Sequence, residues 1–225
     1  MIKAETFLFL TQLQQNNNRE WFLANKEQYL SAKENVEVFA DEIIAKFRKL
    51  EPRLADSLTG KKSVMRIYRD VRFSKDKSPY KTNFGISLST TPKGIHGPGY
   101  FVQLQPGQSF VAGGMWMPEA AHLKLIRQEV DYNGDKFLAI LNDTSFKRNF
   151  GNSLNNNEKL KTTPKGYDAM HPQIELLKLK SFTVSRVFDD QELQSKKSVE
   201  SVVACLKEIM PFNAFLAEAI DVNED

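Results

Sequence analysis

Cysteine is almost missing from this chain: Cys205 stands alone, which excludes an internal disulfide and a cysteine-only metal cluster. Histidine is scarce too. His96, His122 and His171 are the only three, and neither an H-E-x-x-H nor an H-x-x-E pattern joins them to further ligands. No apolar run approaches the roughly 18–20 residues of a membrane span, so no membrane partner is expected. The start, MIKAETFLFL, carries Glu5 and lacks a small-residue cleavage site, so it does not read as a secretory signal and the cytoplasm is the expected location. Neither G-x-x-x-x-G-K-[ST] nor G-x-G-x-x-G occurs, so the two standard nucleotide loops are absent and no cofactor is implied.

What remains is an ordinary globular composition, 41% hydrophobic and 26% charged, in a chain of 225 residues without repeats or a Pro/Gly/Ser-rich linker. The pattern divides into a helical segment over 3–52, a sheet-forming segment over 63–117, helices and a loop-rich stretch over 118–175, and a strand with closing helices over 176–225. Phe7, Leu10 and Leu13 mark a first helix, Asn18 caps a second, and the stripe Tyr29, Ala32, Val36, Phe39, Ile43, Phe47 runs as a long helix toward Pro52. Alternation predicts strands in SVMRIYRDVRF, NFGISLST and GYFVQLQPGQSFVAGGMW, the last folded into a hairpin at Pro106-Gly107. Pro118 is placed to open a helix, GDKFLAILND to form another, and FGNSLNNNEKLKTTPKGYDAMHP to run as loop. A short helix, PQIELLKL, the strand KSFTVSRVF and an amphipathic helix broken near Pro211 complete the chain. The expected class is α+β: one domain over 1–225, with a central, largely antiparallel sheet packed by N-terminal and C-terminal helices.

Charge is distributed unevenly. The net is +3, but residues 61–81 hold eight Lys/Arg against Asp70 and Asp76, a local +6 that leaves −3 for the other 204 residues. If SVMRIYRDVRF is a strand, Met65, Ile67, Arg69, Val71 and Phe73 share one face and Arg66, Tyr68, Asp70 and Arg72 the other. With the first face inward, Arg69 needs a carboxylate or a bound anion, because an unpaired buried guanidinium is strongly unfavourable; a bulge at Arg69-Asp70 would turn it outward. Arginine forks with nearby lysines suit phosphate or carboxylate. The candidate anion site is therefore Arg66, Tyr68, Arg69, Arg72, Lys75, Lys77, Tyr80 and Lys81, with Trp116 as a further stacking surface.

The same residue types also fit a solvated face whose arginines pair with acids. Gly113-Gly114 before Trp116 reads either as close backbone approach beside a ligand or as a bulge with the indole filling the core. Asp168 stands three residues before His171 and is placed to orient an imidazole for acid–base work, although a turn before Pro172 explains the same residues. His96 lies in a turn, KGIHGPG; His122 reads as helix surface; Cys205 reads as a small buried hydrophobe.

The segments NNREWF, NKEQY, RIYRDVRFSKDKSPYK, GYFVQLQPGQSFVAGGMWMP, PKGYDAMHP, LLKLKSF and PFN together resemble the family known as domain of unknown function 2461, from Phe7 to Phe215. The resemblance implies a single α+β domain in a cytoplasmic microbial protein and carries no activity, substrate or catalytic residue. Four functions stay open: binding of a compact anion, nucleic-acid binding through the same patch, a hydrolase using Asp70, Asp76 or Asp168 with His171, and a non-catalytic interaction domain. The catalytic residues and oligomeric state are not specified.

Overall fold

The computed structural model of the chain describes residues 1–90, 96–151, 154 and 159–221. Parts of the predicted loop (152–153 and 155–158) and of the KGIHGPG turn (93–95) lie outside the described residues. The fold class is α+β, with ten helices among the described residues and a four-stranded antiparallel sheet. The strands β1 (Phe84–Ser89), β2 (Gly99–Leu104), β3 (Ser109–Met115) and β4 (Phe182–Phe188) lie in the order β1-β2-β3-β4. Two compact units divide the chain, one of residues 1–88, 101–111 and 187–204, the other of residues 89–100, 112–186 and 205–225.

In the first unit, α1 (Ala4–Gln15), α2 (Arg19–Ala24) and α3 (Lys26–Phe47) follow the predicted stripes. Asn18 caps α2 by accepting a hydrogen bond from the Trp21 N–H at 2.9 Å. Phe9, Leu10 and Leu13 of α1 and Val36, Phe39, Ile43 and Phe47 of α3 are buried together with Phe84, Ile86 and Leu88 of β1. A short helix, α4 (Gly60–Ser63), sits against α3 where only glycine fits: a Cβ on Gly60 would stand 2.0 Å from the Glu37 carbonyl oxygen. The β2–β3 hairpin turns at Pro106-Gly107, with Gly107 at φ 68° and the Gln108 N–H donating to the Gln105 carbonyl at 2.9 Å.

The basic segment is not a strand. Its ladder is reduced to two isolated antiparallel bridges, Val64 with Ile86 and Tyr68 with Tyr80. Between and beyond them the inward–outward alternation fails: Ile67 is 1% exposed, whereas Met65 is 44% and Phe73 95% exposed. The reason is local. Asp70 turns back onto Arg72, and Asp76 onto Ser78 and Arg69, so side chains bend the backbone away from a regular ladder.

In the second unit, α5 (Ala120–Tyr132) begins two residues after Pro118, with Glu119 as its extended N-cap residue. It is followed by α6 (Gly134–Asn142), α7 (Thr144–Phe150) and α8 (Ile174–Leu177). Asp143 caps α7 by accepting from Ser145 and Phe146 N–H groups, an aspartate signal at a helix start. The same holds for α9 (Asp190–Gln194) in the first unit, capped by Asp189. The last helix, α10 (Ser198–Asp221), runs unbroken through Pro211 instead of stopping there. Proline in a helix interior costs roughly 3 kcal/mol. Burial of Ile209, Phe212, Phe215 and Leu216 around it supplies the compensation, at about 1.5–3 kcal/mol per large apolar side chain.

Candidate functional site

Segment 66–81 is where the chain's cations concentrate, and the structure sorts them into spent and unspent groups. Arg69, with a side chain 27% exposed, is ion-paired to Asp76 through Nη1 and Oδ2. Asp76 also accepts from the Ser78 hydroxyl at 2.6 Å and its N–H at 2.9 Å, and these bonds, ahead of Arg69, hold its carboxyl far below the usual carboxylate range. Arg72 is bidentate on Asp70, Nη2 to Oδ2 at 2.6 Å and Nε to Oδ1 at 2.9 Å, which depresses the Asp70 carboxyl. Lys77 donates to the Val71 carbonyl at 2.9 Å. Arg69 is thus neither in the core nor waiting for an anion: its partner comes from its own loop.

Arg66 and Lys81 differ. Neither has a carboxylate ion pair among the described residues, and each lies within the other's field. Burial, then the Arg66 charge, pulls the Lys81 amine below its ordinary range. The Lys81 N–H donates to the Ile67 carbonyl at 2.7 Å, which fixes its backbone beside the Tyr68–Tyr80 bridge. Arg19, outside the segment the charge pattern singles out, is near enough to act on Tyr80 electrostatically. Its only sequence signal was position, immediately after the Asn18 cap.

The aromatics divide in the same way. Tyr80 is 5% exposed, stacked on Phe22 with ring centroids 3.9 Å apart, and offers no ligand face. Tyr68 is 51% exposed and holds its ring 5.5 Å from Tyr80. Lys75 is exposed. Trp116 belongs to the second unit and is 77% exposed, so it is not core filler. The glycines before it serve packing: a Cβ on Gly113 would meet Ile209 at 2.3 Å, and one on Gly114, at φ 117°, would meet the Phe182 carbonyl oxygen at 2.0 Å.

The Asp168–His171 arrangement is not formed. Asp168 Oδ1 accepts from the Met170 N–H at 2.7 Å, while His171 Nε2 lies 2.9 Å from Asp131 Oδ1 on α5. His171 Nδ1 accepts from the Gln173 N–H at 3.0 Å, so the proton of the neutral ring sits on Nε2 and is given to Asp131. Both ring nitrogens are occupied in bracing the turn that leads into α8. No group of three or more His, Cys, Asp or Glu placed to hold a metal occurs among the described residues, and Cys205 is buried.

These features sit in a chain whose motifs extend well beyond the basic segment. The family model described as conserved hypothetical protein (DUF2461) matches residues 5–215. The chain belongs to that family. No curated protein and no solved structure gives a match. For this DUF2461 chain, no helix among the described residues is long and apolar enough to cross a membrane.

Proposed function

We propose that this DUF2461 protein binds a compact phosphate- or carboxylate-bearing anion through segment 66–81, with Arg66 and Lys81 at the centre. One observation carries the reading: two cations are held in mutual repulsion, one partly desolvated, with no carboxylate ion-paired to either among the described residues. An anion between them relieves both penalties. Lys75 and Lys77 add positive field, Tyr68 offers a flat face, and Arg69 and Arg72 contribute only if a ligand displaces Asp76 or Asp70. Tyr80 is structural support. Trp116 is left out of the site.

Calorimetric titration with inorganic phosphate and pyrophosphate tests this. Charge-assisted hydrogen bonds contribute about 1.5–3 kcal/mol, so Arg66→Gln and Lys81→Gln should each weaken binding about tenfold or more. As substitutions of side chains with no carboxylate ion pair among the described residues, they should move stability by no more than about 0.5 kcal/mol. Unchanged affinity in the double variant would overturn the proposal.

Binding of single-stranded nucleic acid is the second reading. What favours it is exposed aromatic surface among the cations: Tyr68, and Phe73 at 95% exposure with the Arg72 guanidinium carbon 5.7 Å from its ring centroid. Bases stack on such groups without sequence preference.

A further inference from the structure

A groove of about 650 Å³ opens among α6, α7 and α10, wholly inside the second unit and unrelated to the basic segment. Its floor is apolar: Ala139, Ile140, Pro211 and Ala214 line it, over Phe146 and Phe215, which are covered to 4% and 1% exposure. Its polar lining is Asp143, Glu208 and Glu218 against one cation, Lys136, with the Ser145 hydroxyl set between Asp143 and Glu208. The size and lining are those of a small-molecule site, an apolar bed with a few placed polar groups.

Lys136 shows what the groove takes. Its ammonium lies 6.0 Å from the centroid of the Phe215 ring and is bonded to Glu218 at 2.5 Å. An aromatic face and a carboxylate thus already clasp an alkylammonium at one end of the groove, the arrangement that recognises organic cations. Asp143 stays anionic, its carboxyl lowered by the bonds it accepts from Ser145 and neighbouring N–H groups. Glu208 meets only the Ser145 hydroxyl among the described residues and shares that hydroxyl's single proton with Asp143, so its charge is not offset. With three carboxylates and one ammonium, the lining is short of positive charge.

We propose that this groove is a binding site for an organic ammonium compound with an apolar body. The cationic head competes with the Lys136 ammonium for Phe215 and the carboxylates of Glu208 and Glu218, and the body lies on Ala139, Ile140 and Pro211. Lys136 acts as an internal occupant that a ligand displaces.

The experiment uses the full chain and three probes followed by backbone amide chemical shifts: choline, its neutral isostere 3,3-dimethyl-1-butanol, and benzyltrimethylammonium. The two cations should shift amides of α6 and α10, benzyltrimethylammonium binding more tightly than choline, and choline at least about tenfold more tightly than the alcohol. Lys136→Ala uncovers the ring and frees Glu218, so it should raise choline affinity severalfold, whereas Glu208→Gln should lower it severalfold. Both positions are on the surface side of the helices, and retained helical circular dichroism verifies folding. Equal binding of choline and the alcohol, no binding of either cation, or a choline affinity unmoved by both substitutions overturns the proposal.

Discussion

Asp76 accepts from Arg69 and from both Ser78 donors, so one carboxylate neutralises an arginine and shapes the loop that carries it. Its carboxyl is depressed in the fold, so the stability it contributes is complete above the ordinary carboxylate range. That stability is lost as pH falls through the lower native value. Asp76→Asn should flatten the acid limb of a stability–pH profile. It should also release Arg69 for the ligand and so raise phosphate affinity severalfold. A titration showing no gain would mean that Arg69 cannot reach the ligand. Lys81 works in the opposite direction. Its lowered amine disfavours the protonated form in the fold, so stability gains as pH rises through the native value toward the ordinary lysine range. On the proposed function, an anion beside Lys81 would oppose that lowering and bring the amine back toward its ordinary range. The sequence located these cations but not their partners, because Asp70 and Asp76 lie within the same run and their choice of arginine depends on how the loop folds back. Asp168 misled for a related reason: spacing brought it near His171, while Asp131, forty residues earlier, holds the ring.

Elements with strong periodicity or explicit caps were readable. The apolar stripe of α3, the Asn18 cap and the Pro106-Gly107 turn each have a single physical interpretation, and the structure contains all three. Asn18→Ala should cost about 1 kcal/mol by removing the acceptor for Trp21 N–H, whereas Asn18→Gly should cost only a few tenths; chemical denaturation measures both. A loss as large for glycine as for alanine would mean that Asn18 matters through something other than the cap. Elements decided by tertiary packing were not readable. Pro211 is a helix breaker by propensity, yet α10 continues because four large apolar side chains beside it are buried. The alternation over 64–73 promised a strand. Two short-range carboxylate turns defeat it, and Phe73, nominally a core position, ends up in solvent.

Across the whole chain the charge is small in sum and lopsided in place, +6 over residues 61–81 against −3 for the rest. That imbalance supplies a test separating the two readings of the basic segment. A compact anion bound by two or three side chains should lose affinity gently with added salt. A nucleic-acid strand neutralised along several phosphates should lose it steeply, with a logarithmic slope of about 0.7 for each phosphate contact. A steep slope with oligonucleotides and no measurable phosphate binding would assign the basic segment to nucleic acid instead of a compact anion. The α+β class was available from the order of helical and alternating segments, while the division into two compact units was not, since no change of composition marks it. The two isolated bridges of the basic segment have their own consequence. The base of the ribbon is held at Val64 and Tyr68, and also by the Met65 N–H on Gly85 at 2.8 Å, the Lys81 N–H on Ile67 at 2.7 Å and the Arg69 N–H on Pro79 at 3.0 Å. The tip over 70–78 is shaped mainly by its own side chains. Substitutions confined to that tip should therefore rearrange its charges while leaving the bonded base, and the sheet edge it rests on, in place.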